Sequence, residues 1–204
     1  MTIWRNKAEW ELWGDRLIDG VTYNFEHLRS FDMQVTRPAK GEWPAFNATV
    51  RVVFDCHVVT EAIDFIGEGP AYWTDIGGNG RMFELERFQY SQSLPSMMSG
   101  LPSGLTKCYF AAKNNYMIWK PAALSGPGHY QVYFDIYMPE MQPIGTTLLI
   151  LYVQSAFLRT VPHTEQREKF TPFVAICGKL AGVVEPKKKG PRSKAKGKKV
   201  IAGM

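Results

Sequence analysis

Between Thr146 and Val153 the chain puts apolar side chains on both sides of any extended backbone, with Leu148, Leu149, Ile150, Leu151, Tyr152 and Val153 in succession. A half-exposed strand alternates apolar and polar. A short run that is apolar on both sides therefore belongs to a strand inside a sheet, with cover on both faces. The run is also far too short to span a bilayer. An interior strand commits the chain to neighbours on either side, and other segments have the pattern to supply them.

Residues 130–138 alternate cleanly, with Tyr130, Val132, Phe134, Ile136 and Met138 on one face and His129, Gln131, Tyr133, Asp135 and Tyr137 on the other. From Asn47 to Thr60, Ala48, Val50, Val52, Phe54, Cys56 and Val58 alternate with a second set that includes Arg51, Asp55 and His57. Residues 45–60, 129–138 and 146–158 are therefore predicted strands, and 31–37 reads as extended. Leu105–Ala112 and Tyr116–Trp119 flank Asn114-Asn115, a tight hairpin because Asn tolerates positive φ. Phe170 to Val184 is apolar with Gly178 and Gly182 inside it, and either strand or helix fits. Trp10, Trp13 and Leu17 at helical spacing, stopped by Gly20, predict a short amphipathic helix over 7–18. Over 84–101 the spacing is helical but Pro95 interrupts it, which predicts two short helices, the second restarting near Ser93. The class is α+β: a mainly antiparallel β-sheet with short N-terminal and central helices.

Charge divides the chain. Lys187, Lys188, Lys189, Arg192, Lys194, Lys196, Lys198 and Lys199 carry eight positive charges with no acid after Glu185, while residues 1–186 hold 16 basic and 19 acidic residues. A body near −3 thus carries a segment near +8. The segment has no apolar periodicity and nothing to bury, so residues 186–204 are expected to be a flexible tail on a single domain over 1–185. Lys-rich arms neutralise phosphates without reading sequence, which makes nucleic acid the expected partner; the bland reading is a solubilising tail. Aromatic residues reach 13%, which either fills a β-rich core with large rings or leaves stacking platforms on the surface.

Cys56, Cys108 and Cys177 are odd in number, far apart and set in apolar runs, so they read as reduced, buried thiols rather than a disulfide framework. No C-x-x-C or H-x-x-x-H pair exists, and neither metal nor cofactor is expected. The N-terminus has no apolar h-region, and together with the free thiols this points to the cytoplasm. Gly77-Gly78-Asn79-Gly80 lacks the G-K-[ST] ending of a phosphate loop and reads as a β-turn.

Three features invite chemistry. Arg51, Asp55 and His57 share one face of a predicted strand, where Asp55 orients His57 for general-base work or the face is simply solvated. The row His129, Gln131, Tyr133, Asp135 and Tyr137 alternates rings with hydrogen-bonding groups, as in sheets that stack single-stranded RNA; the alternative is a second small core. Gln154 and Ser155 end an apolar strand abruptly, and Arg87, Tyr90 and Ser91 are the groups expected to approach them.

Several phrases occur together in order: Tyr23-Asn-Phe-Glu-His-Leu-Arg-Ser-Phe31, Phe54-Asp-Cys-His-Val-Val-Thr60, Glu86-Arg-Phe-Gln-Tyr-Ser91 with Leu94-Pro95, Asn115-Tyr116, Tyr130-Gln-Val-Tyr-Phe-Asp135 and Val153-Gln-Ser-Ala-Phe157. The combination resembles a group of bacterial proteins labelled "stationary phase growth adaptation protein". That resemblance implies a bacterial, cytoplasmic protein and brings no catalytic residue with it. The helix-then-sheet order is also that of barnase-like and ribosome-dependent toxin nucleases, an analogy of fold plan alone. No complete catalytic motif is present. The leading expectation is an accessory protein that binds nucleic acid, RNA before DNA, through the tail and the aromatic sheet face. The second is a metal-independent endoribonuclease using Arg87, Tyr90, His129, Tyr133 and Gln154. The third is a protein-interaction module with a solubilising tail.

Overall fold

The computed structural model describes residues 13–39, 44–63, 70–75, 77–112, 115–121, 128–159 and 170–183. In chain order the strands are β1 Asp15–Ile18, β2 Val21–Asn24, β3 Phe31–Arg37, β4 Phe46–Phe54, β5 Thr60–Ala62, β6 Trp73–Thr74, β7 Gly80–Phe83, β8 Lys107–Ala112, β9 Asn115–Pro121, β10 His129–Tyr137, β11 Leu148–Arg159 and β12 Phe170–Pro172. The helices are α1 Leu85–Ser91, α2 Leu94–Ser99 and α3 Phe173–Leu180. The main sheet has seven strands in the order β12-β8-β9-β10-β11-β4-β3, all neighbours antiparallel except β11 and β4. A β1–β2 hairpin and a small β5-β7-β6 sheet complete the α+β architecture.

The apolar run takes its expected place: β11 is interior, between β10 and β4. Its two faces differ, however. Leu149, Leu151 and Val153 are fully buried, whereas Leu148, Ile150 and Tyr152 are half-buried. The core face continues through Val132, Phe134 and Ile136 of β10 and Val50, Val52 and Phe54 of β4. Phe134 meets Tyr116 at 5.9 Å and Phe173 of α3 at 6.4 Å. A second aromatic knot surrounds Phe25, whose ring lies 5.1–6.0 Å from Phe88, Trp73 and Phe83, edge-on to each. These rings tie the N-terminal hairpin, α1 and the small sheet together, each edge-on pair adding ~0.5–1.5 kcal/mol to its area burial. Much of the aromatic content thus fills a core.

Two expectations change. The helix over 7–18 gives way to a strand from Asp15, residues 7–12 lying outside the described ones. The cause is Asp19-Gly20: both have positive φ, 49° and 80°, and join Ile18 to Val21 as a two-residue hairpin turn whose twist suits paired strands. The strand over 45–60 ends at Phe54. There the Asp55 side chain accepts the His57 N–H at 3.0 Å, and Val58 and Val59 donate back to Asp55 and Cys56, closing a 3-10 turn over Cys56–Val58.

The other segments form as read. Glu84 caps α1 by accepting from the Glu86 and Arg87 N–H groups, and α2 restarts after Ser93 with Pro95 in its first turn. The apolar stretch from Phe170 is both strand and helix, β12 leading into α3. Ala112 pairs with Asn115, so Asn115 opens β9, and the turn residues 113–114 are outside the described ones. No helix among the described residues is long and apolar enough to cross a membrane.

Candidate functional site

β11 runs beyond its partner. It pairs with β4 only from Leu148 to Val153, and one more bond, from the Asp55 N–H to the Val153 carbonyl at 2.9 Å, ends the contact. With β10 it pairs on to Arg159. The chain leaving β4 and the start of α1 stand in the resulting notch, and two groups of side chains meet there.

The first is built on the 3-10 turn. Asp55 caps it and also accepts from the Tyr152 hydroxyl in a very short bond from the neighbouring strand. The turn brings the His57 ring back so that Nε2 lies 3.8 Å from Asp55 Oδ1 and 3.5 Å from Asp75 Oδ2. Asp75 follows β6, where its Oδ1 accepts the Gly77 and Asn79 N–H groups at 2.9 Å each. Burial works to raise the Asp75 carboxyl, but the bonds from Asn79 and Gly77 outweigh it and hold the group below the ordinary carboxylate range. Arg87 of α1 clamps the turn from behind, donating from Nη1 to the His57 and Thr60 carbonyls at 3.0 and 2.9 Å. Arg81 donates to the same Thr60 carbonyl at 3.2 Å. Burial lowers the Arg87 guanidinium and raises the Tyr152 phenol, the latter also through the Asp55 charge.

The second group lies on the sheet face turned away from the core. The β10–β11 register slips between Tyr133 and Phe134, leaving Gln154 as the extra residue of a bulge. Its Nε2 donates to Asp135 Oδ2 and its Oε1 accepts from Asn115 Nδ2, both at 2.6 Å. Burial raises the Asp135 carboxyl, and the Asn115 amide works against that. Past the bulge, Phe157 stacks on Tyr133 with centroids 5.7 Å apart and planes 18° from parallel. Two guanidinium groups flank the Phe157 ring, Arg159 at 5.3 Å and Arg87 at 5.5 Å. Tyr133 donates to Gln131 Oε1 at 3.0 Å.

The residues singled out from sequence are partly gathered. Arg87 and Tyr133 meet through Phe157, and Gln154 sits one step along β11. His129 opens β10 opposite Arg159. Tyr90 is on the other side of the sheet, buried and stacked on Tyr130 at 5.1 Å. Ser91 is buried and bonded to His27 and the Phe88 carbonyl, away from Gln154. Arg51 leaves the predicted trio, because it pairs with Asp32 across β3 at 2.8 and 3.0 Å. Gly77 to Gly80 is the turn between β6 and β7. The eight basic residues from Lys187 to Lys199 and His163 lie outside the described residues. Phe157, Tyr152 and Asp75 had no signal in the sequence, since pairing register and a turn bring them in.

Fold and site together define an α+β protein whose seven-stranded mixed sheet presents a polar, aromatic notch where its parallel strand pair ends. A family model matches residues 15–181, and the chain belongs to the YjaZ family. The match spans every segment that carries the resemblance described above, while the growth-adaptation label rests on that resemblance alone. No curated protein and no solved structure matches the chain.

Proposed function

We propose that the protein binds single-stranded nucleic acid in the cytoplasm, RNA in preference to DNA. The observation that carries the reading is the Tyr133–Phe157 stack on the outer sheet face, flanked by Arg87 and Arg159. Rings at half-exposed positions offer π-faces to bases, and guanidinium groups beside them serve phosphates or stack in turn. The Lys-rich segment from Lys187 to Lys199 adds sequence-independent affinity. Bulge residue Gln154 and Asp135 lie beside the stack as hydrogen-bonding groups for a ribose hydroxyl, the feature by which proteins tell RNA from DNA.

The test is a salt titration of binding to single-stranded RNA and DNA. Removing residues 187–204 is expected to weaken binding and to flatten the slope of log affinity against log salt by ~3 if about four basic side chains engage, at ~0.7 per phosphate. Tyr133→Ala and Arg159→Gln are expected to weaken binding at fixed salt by ~1–3 kcal/mol for each base stack lost, with little change in slope. Equal binding by the intact and truncated chains excludes the tail as the phosphate element. Cleavage of the RNA in the presence of chelator favours the endoribonuclease instead, and absence of both binding and cleavage favours a protein-interaction module.

A further inference from the structure

His57 is unusually placed for a histidine between two acids. Its Nε2 has no solvent contact and no hydrogen-bond partner. Yet carboxylate oxygens stand 3.5 and 3.8 Å away, on side chains of Asp75 and Asp55 that are only 10% and 11% exposed. Those gaps exceed an N–H···O bond, which falls at ~2.7–3.2 Å. They match the ligand-to-ligand edges around a tetrahedral ion, which are ~3.4 Å when the metal–ligand bonds are ~2.1 Å long.

The charges agree with the geometry. Among the described residues, the ion-pair contacts of Asp55 and Asp75 are both to His57. A neutral imidazole leaves two buried negative charges uncompensated, and an imidazolium leaves one. Buried carboxylates that lack a full counter-charge are costly, and a divalent cation neutralises both. The donors are also held in place beforehand. Asp75 is fixed by the Gly77 and Asn79 N–H groups on Oδ1, which leaves Oδ2 turned to the histidine. Asp55 is fixed by the Tyr152 hydroxyl and the His57 N–H. Such outer contacts on ligating groups are what metal sites need. Donor atoms of Asp55, Cys56 and His57 lie within 4.8 Å of one another, so a sulfur stands beside the nitrogen and oxygens. Mixed nitrogen, oxygen and sulfur donors suit zinc rather than magnesium or calcium.

We propose that Asp55, His57 and Asp75 form a binding site for a divalent transition-metal ion of the zinc type, with Cys56 beside it. The site stands independently of the nucleic-acid reading.

The experiment uses the full chain without an affinity tag, stripped with chelator and titrated calorimetrically with zinc or magnesium, with thermal unfolding followed in parallel. One zinc per chain is expected, with micromolar or tighter affinity and a raised melting temperature, and no binding of magnesium at the same concentrations. Asp75→Asn keeps the Oδ1 acceptor for its turn and replaces only the oxygen facing His57, so it is expected to stay folded and to lose more than about tenfold in zinc affinity. His57→Gln is expected to lose at least as much, while His27→Gln, remote from the site, keeps wild-type affinity. Zinc binding by Asp75→Asn equal to wild type overturns the proposal, as does a wild-type chain that takes up no stoichiometric zinc; the cluster is then an imidazole paired with two carboxylates and nothing more.

Discussion

His27 gives the fold a pH dependence whose sign and size follow from its surroundings. Its Nε2 lies 2.8 Å from Ser91 Oγ, and that hydroxyl already donates to the Phe88 carbonyl at 2.7 Å. The nitrogen must therefore be the donor, which fixes the neutral tautomer. Phe88 also meets the ring edge-on at 5.9 Å. Burial pushes the imidazole down to about 4. In the unfolded chain it titrates near ~6.5. Between these values the unfolded state binds the extra proton, so stability is complete above the unfolded value and falls as pH drops towards the folded one. At about pH 5 the full shift would favour unfolding by ~2 kcal/mol, and screening around a half-buried ring brings this to ~1–2 kcal/mol. The assay is urea unfolding of wild type and His27→Gln at about pH 7 and about pH 5, glutamine supplying an N–H for Ser91 without a titrating group. Wild type is expected to lose ~1–2 kcal/mol more than the variant over that interval. Asp32 and Asp75 are held below the ordinary carboxylate range, so their losses come at lower pH and are common to both proteins. Equal losses by the two proteins refute the argument that burial keeps His27 neutral.

Two further outcomes test the core. Phe134→Ala removes a fully buried ring at the centre of the main sheet, between Tyr116 and Phe173, and is expected to cost ~3–5 kcal/mol, read as a lower urea midpoint at unchanged slope. Cys56, Cys108 and Cys177 are free and buried, and burial pushes all three thiols up, the first two to about 12. A thiol reagent is therefore expected to find no rapidly reacting cysteine in the native protein and three on unfolding; mass spectrometry showing an intramolecular disulfide in freshly isolated protein would contradict this.

The sequence made those features legible that depend on side-chain period alone. The runs 31–37, 129–137 and 148–159 alternate or stay apolar over enough residues to choose strand, and one of them is apolar enough to be interior. Pro95 separated α1 from α2 because it fits a first turn and no later one. Where a single local bond decides, period misleads. Trp13 and Leu17 keep helical spacing, but Asp19-Gly20 takes the positive φ pair of a hairpin turn and the segment pairs as strands. Cys56 and Val58 continue the alternation of β4, but the Asp55 carboxylate captures the His57 N–H and the strand stops. Arg87, Tyr133 and Gln154 could be picked out as polar or aromatic groups at abrupt positions. Asp75 could not, because it reaches His57 through the fold of the small sheet rather than through any pattern of its own.

The bulge explains why the outer face holds a stack at all. Along β11 the core face takes Leu149, Leu151 and Val153, and strict alternation would send Ser155 and Phe157 inward after them. Instead Gln154 is the extra residue, and the next fully buried side chain is Ala156, three positions after Val153. The phase change turns Phe157 outward onto Tyr133 and within reach of both guanidinium groups. It falls one residue past the last pairing with β4, where the ladder no longer holds β11 on that side. One inserted residue at the end of a parallel pair thus moves an aromatic ring from core to surface. It also places the polar bulge side chain against Asp135 and frees the strand edge beside which α1 sets Arg87. No face of β11 read from sequence periodicity alone predicts this, because the period itself changes at Gln154.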